Sequence, residues 1–186
     1  WGVLHNGHFK FENAENCLKI LKKNKKKIIL ISNSSRPTED SISNLTKLGF
    51  DEYLYDYCIT SGQIAINNIE KDIYSKYGKT CYPLKMSNDK IKSFKLKCTK
   101  EIKNADFVMI ADLDVNLSVL DFAKTLDEML ELNLPLLCAN PDYLVYDKEE
   151  LSCAVELLRS YMKTWVGRSF AMVSLISLFI VILLKL

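Results

Sequence analysis

The sequence of 186 residues is 48% hydrophobic and 26% charged, with a formal net charge of +2. This composition is typical of a globular protein and excludes wholesale disorder. The near balance of 25 basic and 23 acidic residues argues against a dedicated nucleic-acid-binding protein. The length fits one ordinary domain, or a small core with an insertion.

The two ends of the sequence differ in character. No signal peptide is visible at the start, because Trp1–Leu4 has no basic region and no long apolar run. Residues 169–184 are almost purely apolar and contain no charge, proline or glycine, which makes them a candidate membrane span or tail anchor. Such a run spans roughly 24 Å, against ~30 Å of hydrocarbon, so a buried C-terminal helix and an out-of-frame tail are alternatives. The six cysteines form no C-x-x-C pair, which predicts a reduced, cytoplasmic protein.

The first third of the sequence alternates helical and strand patterns. Apolar residues at helical spacing predict a helix over Glu12–Lys23. The β-branched run Lys27–Ile31 predicts a buried strand that ends in a polar loop. A second helix is predicted over Thr38–Leu48, and a second short strand over Cys58–Thr60.

The alternation continues further along the chain. A helix is predicted over Gln63–Tyr77, followed by a lysine-rich stretch of weak periodicity at 85–103. Strands are predicted over Phe107–Ala111 and Pro135–Ala139, with an amphipathic helix over Ser118–Leu132 between them. This order predicts an α/β fold with a mostly parallel sheet, whose functional residues follow the carboxyl ends of the strands.

The polar loop that follows the first predicted strand is the strongest candidate site. It reads Ser32-Asn33-Ser34-Ser35-Arg36. Hydroxyls and backbone N–H groups can hold a phosphoryl oxygen, and an arginine can bridge it with two hydrogen bonds. The alternative is purely structural, since serine and asparagine often cap the helix that follows them.

Three further groups of residues carry weaker signals. The segment Asn140–Asp142 follows a predicted strand of the same presumed sheet, and alone it also fits an ordinary Asn-Pro turn. Asp112 and Asp114 could bind a divalent cation, although acidic residues after a strand are more often loop or cap residues. His5 and His8 could form a metal pair, but no third ligand lies near them in sequence, which favours a loop role.

Taken in order, five motifs resemble the haloacid dehalogenase superfamily, specifically the subclass IIA phosphatases with an α/β cap. The resemblance covers about residues 1–155 and implies a Rossmann-like parallel sheet, here a partial core, with the cap inserted in it. It implies a magnesium-dependent phosphatase that hydrolyses a small phosphomonoester through an aspartyl-phosphate. The five motifs are Trp1–Gly7, Ile29–Arg36, Ile59–Gly62, Asp106–Ile110 and Cys138–Asp142.

The resemblance assigns expected roles to five residues. Ser32 matches a catalytic motif whose hydroxyl hydrogen-bonds the transferring phosphoryl group. Asn33 and Arg36 match the loop that lines the phosphate pocket. Asn140 and Asp142 match the segment that returns from cap to core beside the substrate.

The resemblance also implies groups that this sequence does not contain. The aspartate nucleophile would lie two positions before Trp1, whose main-chain carbonyl could still bind Mg²⁺. Trp1 stands where many relatives have a second aspartate acting as acid and base, and tryptophan cannot transfer a proton at neutral pH. The motif lysine and the metal carboxylates are missing after Asp142, where Glu150–Val166 only loosely suggests the family's next helix. We therefore expect a chain truncated at both ends and inactive by itself.

The resemblance predicts a division of the chain into four parts. These are the first part of the core at 1–62, the cap at 63–137, the returning core at 138–166 and the apolar tail at 167–186. The expected partner is a small phosphorylated metabolite, without nucleic acid, and with membrane contact through 169–184 as an option. The alternatives are a non-catalytic remnant and a tail-anchored membrane protein that uses the HAD-like part as an interaction module.

Overall fold

The computed structural model describes residues 2–111, 122–140, 144–147 and 150–153. The chain forms two compact units, with the first ending at Gln63 and the second beginning at Ile64. No helix within the described residues is long and apolar enough to cross a membrane. The apolar run at 169–184 lies outside those residues.

The first unit contains two helices and a parallel pair of strands. Its described elements are α1 (Ala14–Lys23), β1 (Ile29–Ser32), α2 (Thr38–Lys47) and β2 (Tyr57–Thr60), with a 3₁₀ turn at Glu52–Leu54. The register pairs Ile29 with Tyr57 and ends by pairing Ser32 with Thr60. A parallel pair joined through a helix is the βαβ unit that the sequence predicts.

A small apolar core holds the first unit together. Leu18 of α1 and Leu45 of α2 bury their side chains against Ile28, Phe50 and Leu54. The prediction of a buried first strand is wrong in part, because only Ile28 is fully buried and all of β1 is half-buried. Among the described residues β1 pairs with β2 alone, so this small sheet leaves more of β1 accessible than a larger sheet would.

The second unit is built around a four-stranded sheet. The strands lie in the order β4-β3-β5-β6, and all neighbours are parallel. A helical stretch leads into it, formed by α3 (Ser61–Asn68), a π-helical turn (Ile69–Ile73) and α4 (Tyr74–Lys76). The other elements are β3 (Thr80–Pro83), α5 (Asn88–Ser93), β4 (Lys97–Cys98), a 3₁₀ turn (Ile102–Asn104), β5 (Phe107–Ile110), α6 (Ala123–Glu131) and β6 (Leu136–Cys138).

Both faces of this sheet are covered, as is usual for parallel sheets. Val108 and Ile110 belong to an apolar cluster with α6, whereas Phe107 and Met109 belong to another cluster with the helical stretch. Every residue of β5 is therefore buried. The predicted α/β fold with parallel strands is confirmed in both units.

Two details of the predicted elements need correction. The sequence pattern did not identify β3, a strand of four residues without clear alternation that ends at Pro83. Glu150, the start of a region that loosely suggested a helix, begins β8 (Glu150–Cys153). That strand pairs antiparallel with β7 (Leu144–Asp147), so its backbone groups are satisfied by a hairpin.

Candidate active site

The loop Ser32–Arg36 leaves the carboxyl end of β1 next to the carboxyl end of β2. This proximity follows from the register, since Ser32 is the partner of Thr60 in the last pair of the two strands. Carboxyl ends of parallel strands are where α/β folds place their binding sites. The loop therefore occupies the position that the sequence predicted for it.

Two buried hydroxyls from the end of β2 hold the backbone of this loop. The Thr60 hydroxyl donates to the carbonyl oxygen of Arg36 at 2.7 Å. The Ser61 hydroxyl lies 3.0 Å from the carbonyl oxygen of Asn33 and 3.2 Å from that of Ser34. Since Thr60 and Ser61 are almost fully buried, these bonds are shielded from water and fix the path of the loop.

Because Gly62 has no side chain, the backbone of the loop can lie directly against the start of α3. Its N–H donates to the carbonyl oxygen of Ser34 at 3.0 Å. A Cβ atom at this position would lie 2.2 Å from the carbonyl oxygen of Ser35 and 2.6 Å from that of Arg36. Real Cβ atoms do not approach oxygens so closely, so only glycine fits here without moving the backbone.

Inside the loop, serine hydroxyls accept hydrogen bonds from backbone N–H groups. The Ser34 N–H donates to the Ser32 hydroxyl, and the Arg36 N–H donates to the Ser34 hydroxyl, both at 3.2 Å. In the structure, Ser32 and Ser34 do not cap the next helix. The N-cap of α2 is Pro37, without a side-chain capping hydrogen bond. The Ser32 and Ser34 side chains instead shape the loop itself.

His5 is the buried titratable group of the turn that opens the first unit. Its Nδ1 accepts the N–H of Gly7 at 2.9 Å, and its backbone forms an isolated bridge with Lys10. Burial lowers the pKa of His5 to about 4, with smaller contributions from the amino-terminal charge and the Arg36 guanidinium. His5 is therefore neutral at physiological pH. In the structure this histidine lies in the opening turn, where it accepts a hydrogen bond from Gly7.

The predicted site residues that the structure describes belong to two different units. Ser32 and Asn33 are half-buried and Arg36 is exposed in the same loop of the first unit. Asn140 belongs to the second unit, where its carbonyl accepts the thiol of Cys138 at 2.8 Å. The assumption of one shared sheet is wrong, because β6 pairs with β5 and not with the strands of the first unit.

The remaining predicted positions lie outside the described residues. These are Trp1, Asp142 and the pair Asp112 and Asp114. Within the ranges that the structure describes, no group of three histidine, cysteine, aspartate or glutamate side chains could hold a metal ion. The described residues therefore do not by themselves supply a side-chain site for the expected Mg²⁺.

The motif Ile59–Gly62 had no predicted role for its individual residues. The hydroxyls of Thr60 and Ser61 and the missing side chain of Gly62 are what hold the candidate loop. The available signal was the composition of the motif, since two hydroxyl residues and a glycine directly follow a strand. Such residues bond to backbone groups and permit close approach.

Residues 1–107, more than half of the chain, match the family model of haloacid dehalogenase-like hydrolases. The chain belongs to this family. The match includes the opening turn, the loop after β1 and the motif after β2. The resemblance drawn from the sequence motifs is confirmed.

Solved structures of haloacid dehalogenase-like proteins share the fold. A haloacid dehalogenase-like hydrolase from Brucella suis 1330 is 27% identical, with a TM-score of 0.78, over 92% of this chain and 63% of its own. A protein from Cytophaga hutchinsonii described as a possible sugar phosphatase is 19% identical, with a TM-score of 0.72 and coverage of 92% and 63%. A 4-nitrophenylphosphatase from Thermotoga maritima is 18% identical, with a TM-score of 0.62 and coverage of 88% and 60%.

The chain thus spans less than two thirds of the length of these three proteins. The proteins from Cytophaga hutchinsonii and Thermotoga maritima are less than 25% identical to this chain, so their similarity shows the fold alone. No curated protein matches the sequence.

Proposed function

We propose that this chain is part of a phosphatase that hydrolyses small phosphomonoesters through an aspartyl-phosphate. The observation that carries the proposal is the Ser32–Arg36 loop, held at the end of β1 by Thr60, Ser61 and Gly62. A rigid loop of hydroxyl, amide and guanidinium groups at a parallel strand end suits a phosphoryl group. Membership of the haloacid dehalogenase-like hydrolases and the named phosphatases of the same fold support it.

In the proposed reaction the residues of the loop bind and orient the phosphoryl group. The Ser32 hydroxyl would donate to one phosphoryl oxygen, and the guanidinium of Arg36 would neutralise part of the charge. Asn33 would line the same pocket. Because His5 is neutral, it would add no positive charge beside Arg36. These roles are positioning and electrostatic, which is most of what phosphoryl transfer asks of a protein.

The second unit is proposed to be the cap that selects the leaving group. Its helices and four-stranded sheet form a unit of their own beginning at Ile64. The proposed parts are core at 1–62, cap at 63–137, returning core at 138–166 and an apolar tail at 167–186. Asn140 and Asp142 are proposed to meet the substrate from the returning segment.

Catalysis is proposed to depend on residues that this sequence does not contain. Within the given sequence, no acidic residue follows Glu156. We therefore propose that the 186 residues alone release no phosphate, and that magnesium dependence is a property of the longer protein. The proposed location is the cytoplasm, since five cysteines within the described residues are free thiols.

The test compares the 186-residue chain with the product of its gene including the flanking coding sequence. Phosphate release from p-nitrophenyl phosphate would be measured with and without Mg²⁺. The longer protein is expected to be active and the 186-residue chain inactive. Ser32→Ala in the longer protein should lower kcat/KM by roughly 100-fold, by loss of one hydrogen bond to the transition state.

Ser43→Ala is the matched control, since Ser43 is an exposed serine of α2. It should leave kcat/KM unchanged. A longer protein without activity on p-nitrophenyl phosphate and on a panel of sugar phosphates would contradict the proposed function. Full activity of Ser32→Ala would contradict the role given to the loop.

A further inference from the structure

Two cysteines of the second unit face each other across neighbouring parallel strands. The register of β3 and β4 pairs Thr80 with Lys97 and Cys81 with Cys98. Directly paired residues point to the same face of a sheet, and neighbouring strands lie ~4.8 Å apart. Disulfides join residues whose Cα atoms are usually 4.4–6.8 Å apart. The strand pairing therefore brings the two cysteines within bonding range.

The surroundings of the two thiols differ in a way that suits a stepwise reaction. Cys81 is fully buried in the cluster that includes Phe94 and Phe107, so no dissolved reagent reaches it directly. Cys98 is exposed, and its thiol donates to the carbonyl oxygen of Leu96 at 3.8 Å. Cys98 lies on β4, an edge strand of only two residues. One sulfur is open to solvent, and the other is reached only through it.

We propose that Cys81 and Cys98 form a redox modification site that closes to an intramolecular disulfide when the chain meets a small disulfide such as oxidised glutathione. The thiolate of Cys98 attacks one glutathione sulfur, giving a mixed disulfide and releasing one glutathione. The sulfur of Cys81 then attacks that of Cys98 and releases the second glutathione, whose thiolate takes up the Cys81 proton. Two protein thiols are oxidised and one glutathione disulfide is reduced to two thiols.

The order of the two steps follows from exposure and charge. Burial raises the pKa of the Cys81 thiol far above its ordinary value, so Cys81 is a poor first nucleophile. Burial also raises the pKa of Cys98, but the neighbouring Cys81 thiol opposes that shift. The mixed disulfide then holds its electrophilic sulfur directly beside Cys81, and this proximity offsets the low thiolate fraction of Cys81.

None of the other described cysteines is paired in register with a second cysteine. Cys17 is exposed on α1. Cys58 pairs with Leu30 in the first unit, and Cys138 pairs with Ile110 in the second. Among the described strands, two cysteines are paired in register only between β3 and β4. Oxidation should therefore be selective for that pair.

The disulfide would fasten the short edge strand to the sheet. It closes a loop that contains α5 (Asn88–Ser93) and restricts the unfolded chain, so the oxidised second unit should resist unfolding more than the reduced one. The expected rise in the midpoint of thermal unfolding is roughly 5 °C.

The test is oxidation of the full 186-residue chain by oxidised glutathione, followed by alkylation and tryptic digestion without reductant. Trypsin cuts after Lys79, Lys85, Lys97 and Lys100 and so releases Thr80–Lys85 and Cys98–Lys100. We expect these two peptides as one cross-linked species that is two hydrogen masses lighter than their sum. Reduction should separate them.

Two variants make the result specific. Cys98→Ser should abolish the cross-link and leave Cys81 reduced, whereas Cys17→Ser, which alters an exposed cysteine of the first unit, should leave the cross-link intact. A digest in which Cys98 carries only glutathione would overturn the proposal, and so would one in which Cys81 stays reduced or is joined to another cysteine. An unchanged midpoint after complete cross-linking would refute the stabilising effect.

Discussion

Gly62 lies so close to Ser35 that a Cβ atom built on it would be 2.2 Å from the Ser35 carbonyl oxygen. The first turn of α3 and the loop after β1 are thus in backbone contact, reinforced by the hydrogen bond from the Gly62 N–H to Ser34. This contact fixes the candidate phosphate loop against the end of β2. Adding a single methyl group at Gly62 therefore tests this contact.

Gly62→Ala should destabilise the chain by about 3 kcal/mol, because the backbone of the loop must move to accept the methyl group. Urea unfolding measures the loss, and amide hydrogen exchange of residues 32–36 should become faster. Gly2→Ala is the control, since no atom lies within 4 Å of a Cβ there and only its positive φ adds a cost of about 1 kcal/mol. Equal losses for the two variants would contradict the proposed contact.

Thr60→Val should cost about 2 kcal/mol. The change preserves shape but removes the hydroxyl that donates to the Arg36 carbonyl and accepts the Gln63 N–H at 3.1 Å, leaving both without that partner in a buried setting. Thr60→Ser keeps the hydroxyl and should recover most of this loss. Thr46→Val removes an exposed hydroxyl bonded within α2 and should cost less than ~0.5 kcal/mol. A neutral Thr60→Val would show that the hydroxyl does not hold the loop.

His5 should make stability depend on pH between about 6.5 and 4. The pKa of this residue in the folded chain, about 4, lies below its ordinary value of 6.5, so the unfolded chain binds the proton first as the pH falls. Stability is then complete above pH 6.5 and falls with a slope of at most ~1.4 kcal/mol per pH unit down to pH 4. Urea unfolding across this range should lose that slope in His5→Gln and keep it in His8→Gln. The same slope in all three proteins would refute the assignment.

Protonation of Asp56 should cause a second loss of stability, at lower pH than the loss caused by His5. Its pKa is lowered, first by the hydrogen bond from the Ile28 N–H at 2.7 Å and then by the Lys22 ammonium at 3.0 Å. A carboxyl with a lowered pKa in the folded state stabilises the fold above its ordinary value of 3.8, and the stability is lost as the pH falls through the folded pKa. Asp56→Asn should flatten the unfolding profile below pH 4. Asp51→Asn, an exposed control beside it, should not.

The helices and strands that local patterns predicted agree with the structure within one or two residues at most of their described ends. The helix predicted over Thr38–Leu48 ends at Lys47, and the strand predicted over Phe107–Ala111 ends at Ile110. Local patterns missed α5, β3, β4, β7 and β8. Of these, the strand β3 is the most instructive. Its four residues have no clear alternation, and strand structure there depends on pairing with β4 and β5, which lie far along the chain.

For the candidate loop too, the sequence predicts the residue types, and the tertiary structure provides the contacts that hold them. Its residue types and its place after a strand predict a phosphate-binding role. The contacts that hold the loop could not be predicted from those residues, because Thr60 and Ser61 contact the loop across a separation of more than 20 residues. The sequence pattern also placed the strand before Asn140 in the same sheet as β1, whereas that strand, β6, pairs with β5 in the sheet of the second unit.

By itself the sequence determined the α/β class, the family and the short list of chemically capable residues. These follow from local spacing and residue type, which act over a few neighbours in the chain. Only the tertiary structure decided which strands pair, that Gly62 must lack a side chain, that His5 is buried and neutral, and that Cys81 meets Cys98. Those properties arise from contacts between distant segments, where packing distances and burial set the chemistry of a side chain.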